Sequence, residues 1–249
     1  MLNRHQILHA LQQALEPLTY VHAMWEGGSA AFGRDDEWSD VDVQIVVEDE
    51  RVADAFAVAE AALLTLSPFE IRWEVPHPAW HGHAQVFYKL QNASPYLMVD
   101  FVVMKASNPN KFLEPEIHGQ ATILFDKNNA LAVAPLDWAA LQKQLTARLE
   151  QLRVTFPLFQ SLITKSVNRG WSLEAVAFYQ AFTLRPLMEV LRIKHSPAHH
   201  NWHVKAAQFD LPPEVFAQVE PLFFPRDLAD LSAKHAEAER LFYATLASL

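Results

Sequence analysis

Acidic side chains embedded in apolar strands are the residues of this sequence best suited to chemistry. The run Ser39-Asp40-Val41-Asp42-Val43-Gln44-Ile45-Val46-Val47 opens with two carboxylates and continues largely β-branched, as a central strand does. Successive strand side chains alternate, so Asp40 and Asp42 are expected on one face, roughly 6.5–7 Å apart. Two carboxylates at that spacing repel each other and resist burial unless positive charge stands between them. A divalent cation supplies that charge, and oxygen ligands without His or Cys favour Mg²⁺ or a similarly hard ion. A third acid, Asp100, lies in a second apolar run, Val99-Asp100-Phe101-Val102-Val103. If the two strands are neighbours the three acids converge, enough to hold two ions about 3.5–4 Å apart.

Upstream, Gly27-Gly28-Ser29 follows a strand expected at 20–25 and precedes a helical turn expected at 30–32. Backbone N–H groups at such a turn bind phosphate, and glycine admits it closely. Taken alone, Gly28 and Ser29 are equally well explained as a plain strand-to-helix turn, and Ser39-Asp40 as a strand-entry turn. Asp100 alone could be a buried carboxylate satisfied by backbone. Phosphate cradle and metal carboxylates within one short stretch form a coherent site for a nucleoside triphosphate.

The order Gly28-Ser29 with Gly33, then Ser39-Asp40-Val41-Asp42, then a lone Asp100 in a hydrophobic strand, resembles the DNA polymerase β-like nucleotidyltransferase superfamily. Within it the pattern is more similar to the antibiotic (aminoglycoside and lincosamide) nucleotidyltransferases than to the polymerases. The resemblance covers roughly residues 20–104 and implies an α+β fold. A small mixed β-sheet nucleotidyltransferase domain would be followed by an all-helical bundle domain that closes over the nucleotide. It also implies Mg²⁺-dependent transfer of a nucleoside monophosphate, usually AMP from ATP, to a hydroxyl of a small molecule. Asp40 and Asp42 would bridge two ions at the phosphates, and Asp100 would complete the second ion site or take the acceptor's proton. Phe32 departs from the pattern, because many members carry a basic residue just before the glycine; here Arg34 follows it instead. Two other readings stand beside this one: transfer to a protein side chain, and a nucleotide-binding module without catalysis.

The elements that must position these residues change character along the chain. Apolar spacing predicts a helix over 4–16, strands over 20–25, 41–47, 69–75, 86–90 and 96–104, a helix over 51–66, and a short edge strand over 121–125. After about Asn128 the sequence turns Leu- and Ala-rich over 136–167, 171–194, 213–223 and 226–247, which predicts a helical bundle. The expected domains are therefore 1–128 and 129–249. The segment 171–194 is apolar nearly all round, so it is expected to be the central helix, kinked or broken at Pro186. Lys165 and Arg185 lie in these apolar helices, where a lone cation is costly, and are the expected holders of the triphosphate's outer charge. His195, His199, His200 and His203 crowd a Pro-containing stretch, poor geometry for zinc; substrate contact and plain surface positions are the open readings. Trp73, Trp80, Trp138 and Trp171 are expected in cores rather than as stacking platforms.

Composition bounds the rest. The 249 residues hold 20 basic and 29 acidic side chains, a formal charge of -9, and about half the chain is apolar, ample for folded cores. Residues 1–128 carry 8 basic against 18 acidic side chains and residues 129–249 carry 12 against 11. An acidic total argues against duplex-DNA binding. No apolar run is long enough to span a membrane. The absence of cysteine excludes disulfides and thiolate metal sites, and a cytoplasmic location is expected.

Overall fold

Alternation along the strands decides which side of the sheet is buried by helices and which carries the acids. The computed structural model describes residues 1–76, 79 and 81–249; Pro78 and Trp80 lie outside the described residues. The chain forms two compact units, Met1–Leu136 and Asp137–Leu249. The first contains α1 (Arg4–Leu15), β1 (Val21–Glu26), a single turn α2 (Gly28–Ala31), β2 (Val41–Val47) and α3 (Val52–Leu66). It continues with β3 (Phe69–Glu74), β4 (Ala84–Leu90), β5 (Met98–Lys105), α4 (Pro115–His118) and β6 (Thr122–Asp126). The six strands form one mixed sheet of order β3-β4-β5-β2-β1-β6, in which β2 and β5 run parallel and every other pairing is antiparallel.

One face of the sheet takes α1 and α3. Val41, Val43, Ile45 and Val47 of β2, Val99, Phe101 and Val103 of β5, and Val86, Tyr88 and Leu90 of β4 form its core with Ile7, Leu8, Leu11 and Leu15 of α1. The helix starts where Asn3 and Gln6 cap each other, side chain to backbone in both directions. The residues between them, Asp42 and Gln44, Asp100 and Val102, Gln85 and Phe87, therefore belong to the opposite face. Part of that face is covered by the chain after β5, where Leu113, Phe112 and Leu131 pack on Ala23, Trp25, Val46, Val102 and Met104. The segment after β6 is fastened to this unit, Ala130 N–H donating to Asp126 Oδ1 (2.7 Å) and Leu136 N–H to Glu116 Oε2 (3.2 Å). The unit boundary thus falls later than the composition change at 128.

Two expectations fail at the edges. β3 is not half-buried: as the outermost strand it leaves Ile71 and Trp73 about half exposed. Trp138 and Trp171 are exposed to a similar degree, and among the described residues the fully buried tryptophan is Trp25. Length and aromatic character favour burial but do not decide it when the residue falls on an edge strand or a helix start.

The second unit is helical, with α5 (Trp138–Asn168), α6 (Ser172–Phe178), a π-helical turn (Tyr179–Leu184), α7 (Arg185–His195), α8 (Ala207–Asp210), α9 (Pro213–Val219) and α10 (Leu228–Leu246). Its core gathers Leu152, Phe156 and Ile163 of α5 with Leu187, Val190 and Leu191 of α7 and Leu231, Ala238 and Phe242 of α10. The expected single helix over 171–194 is opened by the π turn, and the cause is Pro186. Proline lacks an N–H, and its ring crowds the carbonyl four residues back. That carbonyl, of Phe182, accepts from Gln160 Nε2 instead (3.0 Å). Among the described residues no helix is long and apolar enough to cross a membrane.

Candidate active site

The parallel pairing of β2 with β5 sets Asp42 directly opposite Asp100. Adjacent strands stand about 4.8 Å apart, so the two carboxylates rise side by side from the face that α1 and α3 leave open. Both lie near the N-terminal ends of their strands and are half-buried. The glycine turn is laid across the same strand: Gly27 N–H donates to Asp42 O (2.9 Å). Gly28 has φ +59, and a Cβ there would lie 1.8 Å from Asp42 Oδ2. At Gly27 a Cβ would lie 2.9 Å from Gln44 Oε1. The turn is glycine because the acid and the amide of β2 fill the space a side chain would need.

Asp40 is engaged differently from this pair. It precedes the first ladder residue, so strand alternation does not govern it; its Oδ1 accepts from Met98 N–H (3.3 Å) and ties the start of β5 to the entry of β2. Burial raises its carboxyl above the usual range, and the Met98 bond opposes that. Among the described residues no three His, Asp or Glu side chains are gathered so as to hold a metal ion. The expected trio is present as a juxtaposed pair, Asp42 and Asp100, with Asp40 engaged by backbone. The donor set suits a hard cation, since paired carboxylate oxygens are what Mg²⁺ takes, and water and phosphate oxygens ordinarily complete its shell. Ser29 Oγ and Gln44 Oε1, both shielded from solvent, have no hydrogen-bond partner among the described residues.

Several residues at the site escape a reading of the sequence. Gln85 on β4 donates from Nε2 to Asp100 Oδ1 (2.7 Å). Glu26, which ends β1 beside the site, pairs with Val43 on the α1 side of the sheet and is buried against Arg4 (2.6 Å). Burial raises its carboxyl, Arg4 lowers it, and the fields of Asp35 and Asp42 raise it further. An acid closing the apolar run Val21–Trp25 was the available signal for Glu26. Gln85 and Gln44 gave none, because a polar residue at every second strand position reads as solvent-facing.

Beyond Asp100, the open face becomes apolar. Phe87 is the β4 residue opposite Asp100, and Trp73 of β3 stacks on it with centroids 5.6 Å apart. A hollow of about 310 Å³ here is lined by Asp40, Ile71, Phe87, Tyr96 and Met98 among others.

In the second unit, Lys165 and Arg185 are both exposed. The desolvation cost that singled them out does not apply, since a surface cation stays hydrated. The cation that meets that cost is Arg192, fully buried on α7. Its guanidinium donates to Asp210 Oδ2 (2.7 Å), to His203 O (2.6 Å) and to Lys205 O. His199 Nδ1 meets the same Asp210 oxygen (2.8 Å) and its ring stacks on Trp202 (3.8 Å). In the histidine-rich stretch, His199 is therefore a brace for the chain between α7 and α8.

No family model matches the chain, and no curated protein matches it. Among solved structures it is similar to a STING-associated CdnE c-di-GMP synthase from Capnocytophaga granulosa, 13% identical over 99% of this chain and 80% of that one, with a TM-score of 0.33. It is similar as well to a nucleotidyltransferase-like protein from Exiguobacterium sibiricum 255-15, 13% identical over 97% of this chain and 75% of that one, with a TM-score of 0.34. Neither likeness assigns a role to a residue of the site.

Proposed function

We propose that this chain is a Mg²⁺-dependent nucleotidyltransferase that moves a nucleoside monophosphate, AMP from ATP, onto a hydroxyl of a small molecule. The observation that carries the proposal is the register pair Asp42 and Asp100 beneath a glycine turn that is itself shaped to Asp42. A divalent cation bound there would neutralise phosphate charge and polarise the α-phosphate. Asp42 and Asp100 would hold it, and Asp40 would join them by giving up its Met98 hydrogen bond. The N–H groups of Gly28 and Ser29 and the unpartnered Ser29 hydroxyl would be the donors for phosphate oxygens. Asp100, the acid nearer the apolar side of the face, would receive the proton of an acceptor hydroxyl. Phe87, Trp73 and Ile71 would carry the acceptor's carbon skeleton there, positioning it without competing for charge.

The test uses α-labelled ATP, Mg²⁺ and a panel of hydroxylated metabolites and antibiotics, with Asp42→Asn beside the parent. Label is expected on a small molecule with the parent alone, and the variant should fall by at least about a hundredfold, as removal of a charge-stabilising group does. Equal transfer by both proteins would sink the metal role of Asp42. Label on a protein band would move the acceptor to a side chain, and ATP binding without transfer would leave a nucleotide-binding module.

A further inference from the structure

Asp100 is held from outside its own strand by a chain of directional hydrogen bonds. Gln85 Nε2 donates to Asp100 Oδ1 (2.7 Å), and Gln85 Oε1 lies 3.1 Å from His81 Nε2. His83 N–H donates to His81 Nδ1 (3.1 Å). Each link fixes the next. An ionised carboxylate only accepts, so Gln85 must turn its NH₂ toward Asp100 and its carbonyl oxygen toward His81. Because Nδ1 of His81 accepts a backbone N–H, the ring proton of the neutral imidazole resides on Nε2, where it donates to Gln85. Neither Gln85 nor His81 can flip without breaking two bonds. Packing holds the far end: the His81 ring stacks on His83 (5.5 Å), and Phe112 meets both rings edge-on at 6.1 and 5.0 Å. His83 itself is buried.

From this geometry we infer that Gln85 and His81 are positioning residues that fix the rotamer of Asp100 and so set the metal affinity of the carboxylate pair. The inference rests on the proposed metal role of Asp42 and Asp100 and adds the residues that orient one of them. Asp100 has further contacts, so the relay orients the carboxylate but is not its sole support. Outer partners of ligating groups typically change metal affinity by about 10–100-fold when removed. Gln85→Leu keeps a similar side-chain size while removing the donor, and His81→Phe keeps a ring while removing the Nε2 proton. His81→Gln returns an amide donor to the same place.

Binding of Mn²⁺ to the full chain without nucleotide, followed by electron paramagnetic resonance, separates the possibilities without reference to turnover. Asp100→Asn should weaken Mn²⁺ binding most. Gln85→Leu should weaken it about tenfold, His81→Phe in the same direction by less, and His81→Gln should recover most of that loss. If Asp100→Asn binds as the parent does, the proposed metal site itself is wrong. If Asp100→Asn loses binding while Gln85→Leu and His81→Phe do not, the site stands and the relay falls. Should Gln85→Leu fail to fold, the side-chain amide resonances of Gln85 in the parent decide. Two well-separated, slowly exchanging Nε2 protons that shift in His81→Phe support the relay; a collapsed, fast-exchanging pair indifferent to His81 overturns it.

Discussion

At the scale of single residues, the site is most sensitive where backbone and carboxylate share one volume. Gly28 combines a left-handed φ with the 1.8 Å approach that a Cβ would make to Asp42 Oδ2, so Gly28→Ala adds both strain and a collision. Gly33 separates the two effects, since its φ is +62 and no atom of the described residues lies within 4 Å of its Cβ position. The strain alone is worth about 1–2 kcal/mol for an L-residue. Gly33→Ala should therefore lower thermal stability by that amount and leave Mn²⁺ binding intact. Gly28→Ala should lose at least as much stability and, by displacing Asp42, weaken Mn²⁺ binding more than about tenfold. Equal Mn²⁺ affinity in the two variants would show that Asp42 does not need the space Gly28 leaves. The acids and the glycine turn were legible because carboxylates in apolar strands demand a reason. The amides were not, since the pairing of Gln85 with Asp100 arises from β4–β5 register, which no local pattern encodes.

At the scale of elements, the strands and long helices followed from period and composition, and the misplacements have local causes. The β2 strand occupies the range its β-branched run predicts, and β6 is an edge strand as expected. Asp40 was assigned to the strand face by alternation but sits one residue before the ladder begins. The break in the 171–194 segment was anticipated from Pro186, yet its form, a π turn whose freed carbonyl is met from α5, depends on a residue in another helix. That residue, Gln160, is a buried junction. It donates to Phe156 O (2.8 Å) and Phe182 O (3.0 Å), and its Oε1 accepts from Thr183 Oγ1 (2.7 Å) and meets His235 Nε2 (2.9 Å). Gln160→Leu fits the volume but strands the Phe182 carbonyl, the Thr183 hydroxyl and the His235 ring nitrogen away from water. Each orphaned group costs about 1–3 kcal/mol, so a loss of roughly 3 kcal/mol or more is expected in urea unfolding. A loss below about 1 kcal/mol would mean that water or rotamer changes satisfy those groups and that the junction is not what holds the π turn.

At the scale of the whole molecule, burial has placed several histidines where a proton is unwelcome, and this gives stability a definite pH dependence. His83 is held down to about 4, by desolvation first, then by repulsion from His81 whenever that ring is protonated and from the Lys111 ammonium. His195, His203 and His235 are lowered as well, each chiefly by burial. As pH falls through the ordinary histidine range near 6.5, the unfolded chain takes protons that the folded chain refuses. Stability present at neutral pH is therefore lost on acidification, at up to about 1.4 kcal/mol per pH unit for each such group. Glu26 and Asp40, raised by burial, act in the opposite sense, because the folded chain takes their protons first. A difference between two proteins that share those carboxylates cancels their contribution. From pH 7.5 to 5.5 the parent should lose about 1.4 kcal/mol more than His83→Asn, whatever the offset between them at pH 7.5, because the parent alone carries the suppressed imidazole at that position. Denaturant unfolding at the two pH values measures this directly. Parallel losses in the two proteins would show that His83 takes a proton in the folded state as readily as in the unfolded one.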